Sequence, residues 1–319
     1  MILSRNSFYS RFQSAVPLLF MLLTVAALCG CAQEPHYRWV SLREPVATKS
    51  NSLLGAKEGG VLRIAFAPVI SLREALDSDM DLVGYLRHEL GCPVQMVQAT
   101  SFQEANDMVQ TGYCDLAFVS AYAYVAGQRD FGMQPVAIPE SLSDNNDCSY
   151  LIVPVASKAR TLDDMAGKVF AFSDPRFSAG YLFLRARLSR RGITPGRFFK
   201  QTIFTNSDDN SVRAVAGALV DGASVSSYVY GYMRMAHPQI TGRTRIIEES
   251  PPCGVPLFVA RPGLSKRTFN HVQQALLEMS RLPLGQVALN RLGLRGLALP
   301  DDRLYSALRF ISRDLQVQQ

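Results

Sequence analysis

The chain has 319 residues, 33 Lys and Arg against 27 Asp and Glu, a formal net charge of +6, and 48% hydrophobic residues. Its basic residues are dispersed, and no basic–aromatic interleaving or nucleic-acid motif occurs, which argues against nucleic acid as a partner. The length and apolar content fit a globular chain with a large core and room for two lobes.

Arg5 and Arg11 precede an apolar run, Val16 to Leu28, which is short for a membrane span and has the length of a signal-peptide core. The run ends in Leu28-Cys29-Gly30-Cys31, which resembles the bacterial lipobox. That resemblance implies cleavage before Cys31, lipid attachment to Cys31, and a place in the cell envelope on its periplasmic or extracellular face. An ordinary secretory signal or an uncleaved anchor is the plainer alternative. Residues 1–30 are expected to be a lipoprotein signal peptide. Residues 31–60, polar and without a sustained period, are expected to be a tether.

Beyond the tether, strands and helices alternate. Val61–Phe66 reads as a strand and Ser71–Leu90 as a helix with Leu72, Leu76, Leu82, Tyr85, Leu86 and Leu90 on its inner face. Pro93–Val97, a helix over Phe102–Thr111 and Asp115–Val119 follow, then a helical start at Ser120–Tyr124 and a short strand at Pro135–Ile138. This βαβαβ order predicts a mostly parallel sheet covered by helices, with ligands bound beyond the carboxyl ends of its strands. Ser141–Asn146 is a polar break, and Tyr150–Val155 opens a second series. That series runs through Val169–Phe172, a helix over 178–191, Lys200–Thr205, a helix over 209–219, Ala223–Val225, a helix over 227–236 and Thr244–Glu248. Pro251-Pro252-Cys253-Gly254 is a second break, followed by strand Val255–Ala260, a helix over 265–280 and an amphipathic helix over Asp301–Leu315. The expected architecture is α/β, with two lobes. Residues 61–147 and 254–319 form the first and 148–253 the second, joined by two hinge strands around a cleft.

The segment from Val169 to Gly192 carries the strongest functional signal. A buried strand leads through Asp174-Pro175-Arg176-Phe177 into a helix opened by Ser178-Ala179-Gly180. Free backbone N–H groups at the positive end of a helix dipole make a place for an anion. Cys92, Cys114, Cys148 and Cys253 remain after Cys29 and Cys31, none in a CxxC pair, and the four His are scattered. No metal site is expected. No Ser-His-Asp order, Walker loop or paired-carboxylate signature stands out, so no catalytic residue and no cofactor are assigned.

The ordered set of motifs is similar to the type 2 periplasmic binding proteins, and within them to the phosphate/phosphite/phosphonate-binding subunits of ABC importers. It comprises Asp115-Leu116-Ala117-Phe118-Val119 with Ala123-Tyr124-Val125, Leu162-Asp163-Asp164-Met165-Ala166-Gly167-Lys168, Asp174-Pro175 with Ser178-Ala179-Gly180-Tyr181, Gly192-Ile193-Thr194-Pro195, and Glu249-Ser250-Pro251-Pro252. The resemblance implies capture of a small anion between the lobes, with an ABC permease and ATPase as partners. A ligand-sensing lipoprotein that signals to a membrane partner is the alternative. In the family the loop after Asp-Pro reads Ser-Thr-Ser-Gly and a His-Asp pair opens the following helix. Here those positions read Phe177-Ser178-Ala179-Gly180 and Asp208-Asp209. Candidate ligand contacts are Ser178 with the N–H groups of Ala179, Gly180 and Tyr181, together with Ser120, Tyr122, Tyr124, Arg176 and Asp208. Each has a plainer reading: Ser178 as a helix cap, Tyr124 as a core aromatic, Arg176 as a solvated loop residue, Ser120 as a turn serine, Asp208 as a helix-start acid. Because hinge strands run side by side in the resembled fold, a Cys148–Cys253 disulfide is implied, and the pairing of Cys92 and Cys114 is left open.

Overall fold

The computed structural model describes residues 60–141, 148–175 and 179–317, so the expected signal peptide and tether, Cys31 with its expected lipid, and Arg176, Phe177 and Ser178 lie outside the described residues. Strands β1 (Leu62–Phe66), β2 (Val94–Gln98), β3 (Leu116–Val119), β4 (Gln134–Ser141), β10 (Leu257–Ala260) and β11 (Leu294–Ala298) build a six-stranded sheet ordered β11-β4-β10-β3-β1-β2. Strands β5 (Ser149–Pro154), β6 (Val169–Phe172), β7 (Gln201–Phe204), β8 (Gly222–Ser226) and β9 (Thr244–Glu249) build a five-stranded sheet ordered β7-β6-β8-β5-β9. The parts of the chain built on these two sheets are called the first and second lobes below.

The sheets are mixed rather than mostly parallel. β1 runs parallel to β2 and β3, and β6 to β7 and β8, as βαβ units require. β10 is antiparallel to β3 and β4, and β5 is antiparallel to β8 and β9. The reason lies in the hinges. A chain crossing from the other lobe enters its new sheet at the cleft end, where the parallel strands finish, and so must run against them. Leu257 accordingly sits opposite Val119, the last residue of β3, and Ser149 opposite Ser226, the last of β8.

The helices that cover the sheets are α1 (Leu72–Leu90), α2 (Phe102–Gln110), α3 (Ala121–Phe131), α4 (Ala179–Ser189), α5 (Asp208–Ala216), α6 (Ser227–Ala236), α7 (Lys266–Glu278), α8 (Pro283–Leu292) and α9 (Ser306–Val317). One apolar cluster runs through both lobes, from Ala65 and Val119 to Ala171, Val225 and Val229, so the lobes share a continuous core. Two further clusters lie on outer faces: α1, α7 and α8 against the first sheet, and Phe170, Phe172, Phe198 and Phe199 against the second. Full burial of each such ring contributes about 1.5–3 kcal/mol.

On α1 the inner stripe differs from expectation. Leu76 is exposed, and the buried row runs through Ser78, Asp79, Leu82, Val83, Tyr85 and Leu86, which places an acid on the core side. α8 and β11 lack a clear periodic signal, because Pro283 and Gly285 open the helix and Gly296 interrupts the strand. Gly285 is required there: a Cβ would lie 2.2 Å from the carbonyl oxygen of Met279.

Cys92 and Cys114 are buried thiols and do not pair with each other in the structure. Cys92 and Cys114 precede β2 and β3, which flank β1 on opposite sides. Two ladder spacings, about 10 Å, exceed the roughly 7 Å that a disulfide spans. Burial pushes the Cys114 thiol up to about 12. Cys148 and Cys253 lie on neighbouring crossings, with Ser149 and Ser250 exchanging hydrogen bonds between them, and both are buried.

Candidate functional site

Helices α1, α3, α4, α5 and α6 all start at the cleft ends of strands, after β1, β3, β6, β7 and β8. Their positive dipole ends gather where the lobes meet, on the side toward which both hinge strands open. Serines cap the described starts. The Ser120 hydroxyl accepts from the Ala123 N–H at 3.2 Å, and the Ser226 hydroxyl from the Val229 N–H at 3.4 Å. Ser71 and Ser207 hold the same position on α1 and α5 but make no such side-chain bond.

Ser71 is engaged across the cleft instead. Its N–H donates to Asp209 Oδ1 at 2.8 Å and its hydroxyl to Oδ2 at 2.6 Å. Asp209 is fully buried in the first turn of α5, so a second-lobe carboxylate caps a first-lobe helix. Ser207, one residue ahead of α5, is 1% exposed, and its hydroxyl has no partner among the described residues.

The described site residues divide into two groups. Gly180 is structural in a specific way: a Cβ on it would lie 2.3 Å from Ser224 Oγ and 3.3 Å from Ser149 Oγ, so only glycine lets α4 rest on β8 and β5. Tyr181 stacks edge-on against Phe172 and Phe204 and reaches a polar groove of about 340 Å³ between α2, α3 and α4. Tyr122 lines the same groove, with its hydroxyl 3.4 Å from Ser312 Oγ, alongside Asn106, Arg129 and Arg185. Asn106 Oδ1 is buried there without a partner among the described residues. Asp208, nearly buried, holds the first position of α5 beside Asp209. Ala179 is the first residue of α4.

Tyr124 and Ser120 do not join them. Tyr124 is 1% exposed, packs edge-on against Tyr305, and donates to Asp302 at 3.4 Å. It is a core aromatic whose hydroxyl faces the C-terminal segment; burial, reinforced by the Asp302 charge, pushes it up to about 12. The Ser120 hydroxyl serves as the α3 cap. The basic run at the end of α4 is engaged by acids, Arg187 with Glu248 and Arg191 with Asp163. Sequence reasoning missed Ser71, Ser207 and Asn106. A serine ahead of each helix was the available signal, but capping serines are common.

Among the described residues no group of three or more His, Cys, Asp or Glu is placed to hold a metal ion, and no helix is long and apolar enough to cross a membrane. What the arrangement offers is backbone N–H donors, hydroxyls and helix dipoles in a cleft between two lobes. Groups of this kind can hold an anion non-covalently.

A two-lobed α/β fold with hinge strands and helix starts facing the cleft defines a type 2 periplasmic binding protein. The family model for the periplasmic phosphonate substrate-binding protein of ABC transporters matches residues 64–305, and the chain belongs to that family. The phosphate-import protein PhnD of Mycolicibacterium smegmatis is 28% identical over 150 residues, which cover 44% of this chain and 47% of that protein. The match thus spans about half the length of this relative. The binding component of a phosphonate ABC transporter from Pseudomonas aeruginosa superposes with a TM-score of 0.73 at 19% identity, covering 80% of this chain and 86% of that one. PhnD1 of Prochlorococcus marinus, solved with methylphosphonate, superposes with a TM-score of 0.69 at 16% identity, covering 81% and 99%.

Proposed function

We propose that this protein is the extracytoplasmic binding subunit of an ABC importer, which captures a small phosphonate-, phosphite- or phosphate-ester-like anion between its lobes. The observation that carries this is the gathering of helix starts at the cleft, together with the buried, unpartnered hydroxyl of Ser207. Ser178 and the N–H groups of Ala179, Gly180 and Tyr181 are its first ligand contacts, with Arg176 and Tyr122 at the flank. Closure of the lobes excludes water and strengthens the N–H and dipole terms. The closed form is what a membrane permease and its ATPase recognise. The role is binding, without a bond-changing step. A lipid on Cys31 tethers the protein to the membrane.

The departures from the family loop bear on the ligand. Phe177 and Ala179 supply no hydroxyl, and Asp208 places a carboxylate where the family has His. Each charge-assisted hydrogen bond contributes about 1.5–3 kcal/mol, so phosphate and simple alkylphosphonates bind poorly. A larger anion, with a cationic group to meet an acid, binds better. A thermal-shift screen of phosphonates, phosphite, phosphate esters, sulfonates and carboxylates tests this, followed by calorimetry on Ser178→Ala and Asp208→His. Tight binding of methylphosphonate by the wild type contradicts the altered specificity.

A second reading rests on Asp209. A carboxylate of the chain itself already joins the lobes through Ser71, so lobe closure has a source besides ligand, as suits a ligand-sensing lipoprotein. Co-purification with an ABC permease supports the importer; co-purification with a membrane histidine kinase supports the sensor.

A further inference from the structure

A second cavity lies on the face of the first sheet away from the polar groove, under the start of α1. It measures about 30 Å³, room for about two waters. Its aromatic walls are Phe66, Phe118 and Phe258 from the first sheet and Tyr228 and Tyr232 from α6 of the second lobe. One charged residue lines it, Asp79, which is 5% exposed. Among the described residues its carboxyl accepts no hydrogen bond and meets no cation. The adjacent Ser78 hydroxyl already donates to the Ala75 carbonyl at 2.8 Å. Burial pushes the Asp79 carboxyl up to about 7. Buried acids are ordinarily paired, and with no partner for this one among the described residues, the cavity that it faces is a place for a partner.

We propose that this cavity is a subsite for an alkylated ammonium group, with Asp79 as its counter-ion and the surrounding rings as its walls. A primary ammonium brings three donors, whereas the mainly apolar cavity offers one carboxyl beside the residues Ser78, Tyr228 and Tyr232. A metal ion needs several oxygen or nitrogen ligands, and no such group of acids or His is found among the described residues. An alkylated ammonium needs almost no hydrogen bonds, and aromatic rings attract it. Its bulk exceeds the present cavity, so it enters when α6 draws back with the second lobe and is enclosed by Tyr228 and Tyr232 on closing. Val69 and Ile70 line the cavity and lead directly into Ser71, which bonds Asp209. Resting on the proposed anion-binding role, the ligand is then a zwitterion: its anion lies at the helix starts and its ammonium beside Asp79. The other titratable groups lining the cavity are the tyrosines, so binding below pH 7 displaces a proton from Asp79.

The test compares phosphocholine with its uncharged carbon isostere, 3,3-dimethylbutyl phosphate, by calorimetry on the mature protein and on Asp79→Asn, with tetramethylammonium chloride as a third probe. Asp79→Asn is isosteric and removes an unpaired charge, so it keeps the fold. The expected result is at least tenfold tighter binding of phosphocholine than of the isostere, abolished by Asp79→Asn, with more protons released at pH 6 than the isostere releases, since both esters carry the same phosphate, and none at pH 8.5. Equal or tighter binding of the isostere, or a preference that survives Asp79→Asn, overturns the subsite and leaves the anion reading standing. If neither phosphate ester binds, the anion reading fails for this ligand class and tetramethylammonium decides the cavity alone. A thermal shift lost in Asp79→Asn supports the subsite, and no shift overturns it.

Discussion

The carboxylate of Asp209 accepts both the backbone N–H of Ser71, at 2.8 Å, and its hydroxyl, at 2.6 Å, joining residues 138 positions apart in the chain and on opposite lobes. Asp209 thereby does for α1 what a capping side chain does within its own helix, and it does so across the cleft. Loss of both bonds in Asp209→Ala is expected to destabilise the closed form by about 3 kcal/mol or more, and Ser71→Ala by about half of that. Small-angle scattering reads the first as a larger radius of gyration. An unchanged radius and melting temperature in Asp209→Ala contradict a latch.

Asp79 predicts an unusual pH dependence. Its folded-state carboxyl lies above the ordinary value of 3.8, at about 7, because burial disfavours the charged form. The folded state therefore holds a proton that the unfolded state releases, so this residue removes stability as pH rises from about 4 to about 7. Asp79→Asn matches the wild type near pH 4 and exceeds it above pH 7, by at most about 4 kcal/mol. Denaturant unfolding at the two pH values checks this; a variant less stable than wild type at pH 8 contradicts it.

Gly180→Ala is expected to destabilise the second lobe by about 1–3 kcal/mol, since its Cβ meets Ser224 Oγ at 2.3 Å. Ser224→Ala removes that oxygen, so the double variant recovers part of the loss. Additive losses in a double-mutant cycle would show that the clash is relieved by other movement.

Labelling cells with a radioactive fatty acid is expected to tag the wild-type protein and not Cys31→Ala. Equal labelling of both refutes the lipid anchor inferred from Leu28-Cys29-Gly30-Cys31.

The order of elements was legible because central strands such as Val169–Phe172 are continuous apolar runs bounded by Gly167 and Asp174-Pro175. The two polar breaks likewise marked the crossings between sheets. Strand direction after each crossing was not legible, because nothing in Ser149–Pro154 or Leu257–Ala260 encodes which end of the sheet the chain enters. Side-chain direction in helices near the cleft was equally hidden. Tyr124 and Tyr122 are two residues apart on α3, yet one is buried against Tyr305 and the other lines the polar groove. Asp79 sits in the polar run Asp77-Ser78-Asp79-Met80-Asp81 of α1, which reads as a solvated face, and only packing with Phe258 and Tyr228 shows that it faces a cavity.

Anion capture at the helix starts is tested most directly by titration calorimetry with phosphonates, phosphite and phosphate esters on wild type, Ser178→Ala and Ser207→Ala. At least one of these anions is expected to bind, and each variant to weaken it by tenfold or more while melting as the wild type does, since a lost charge-assisted bond is about 1.5–3 kcal/mol. Binding that neither variant weakens places the ligand elsewhere. No heat and no stabilisation with any of these anions contradict the binding role.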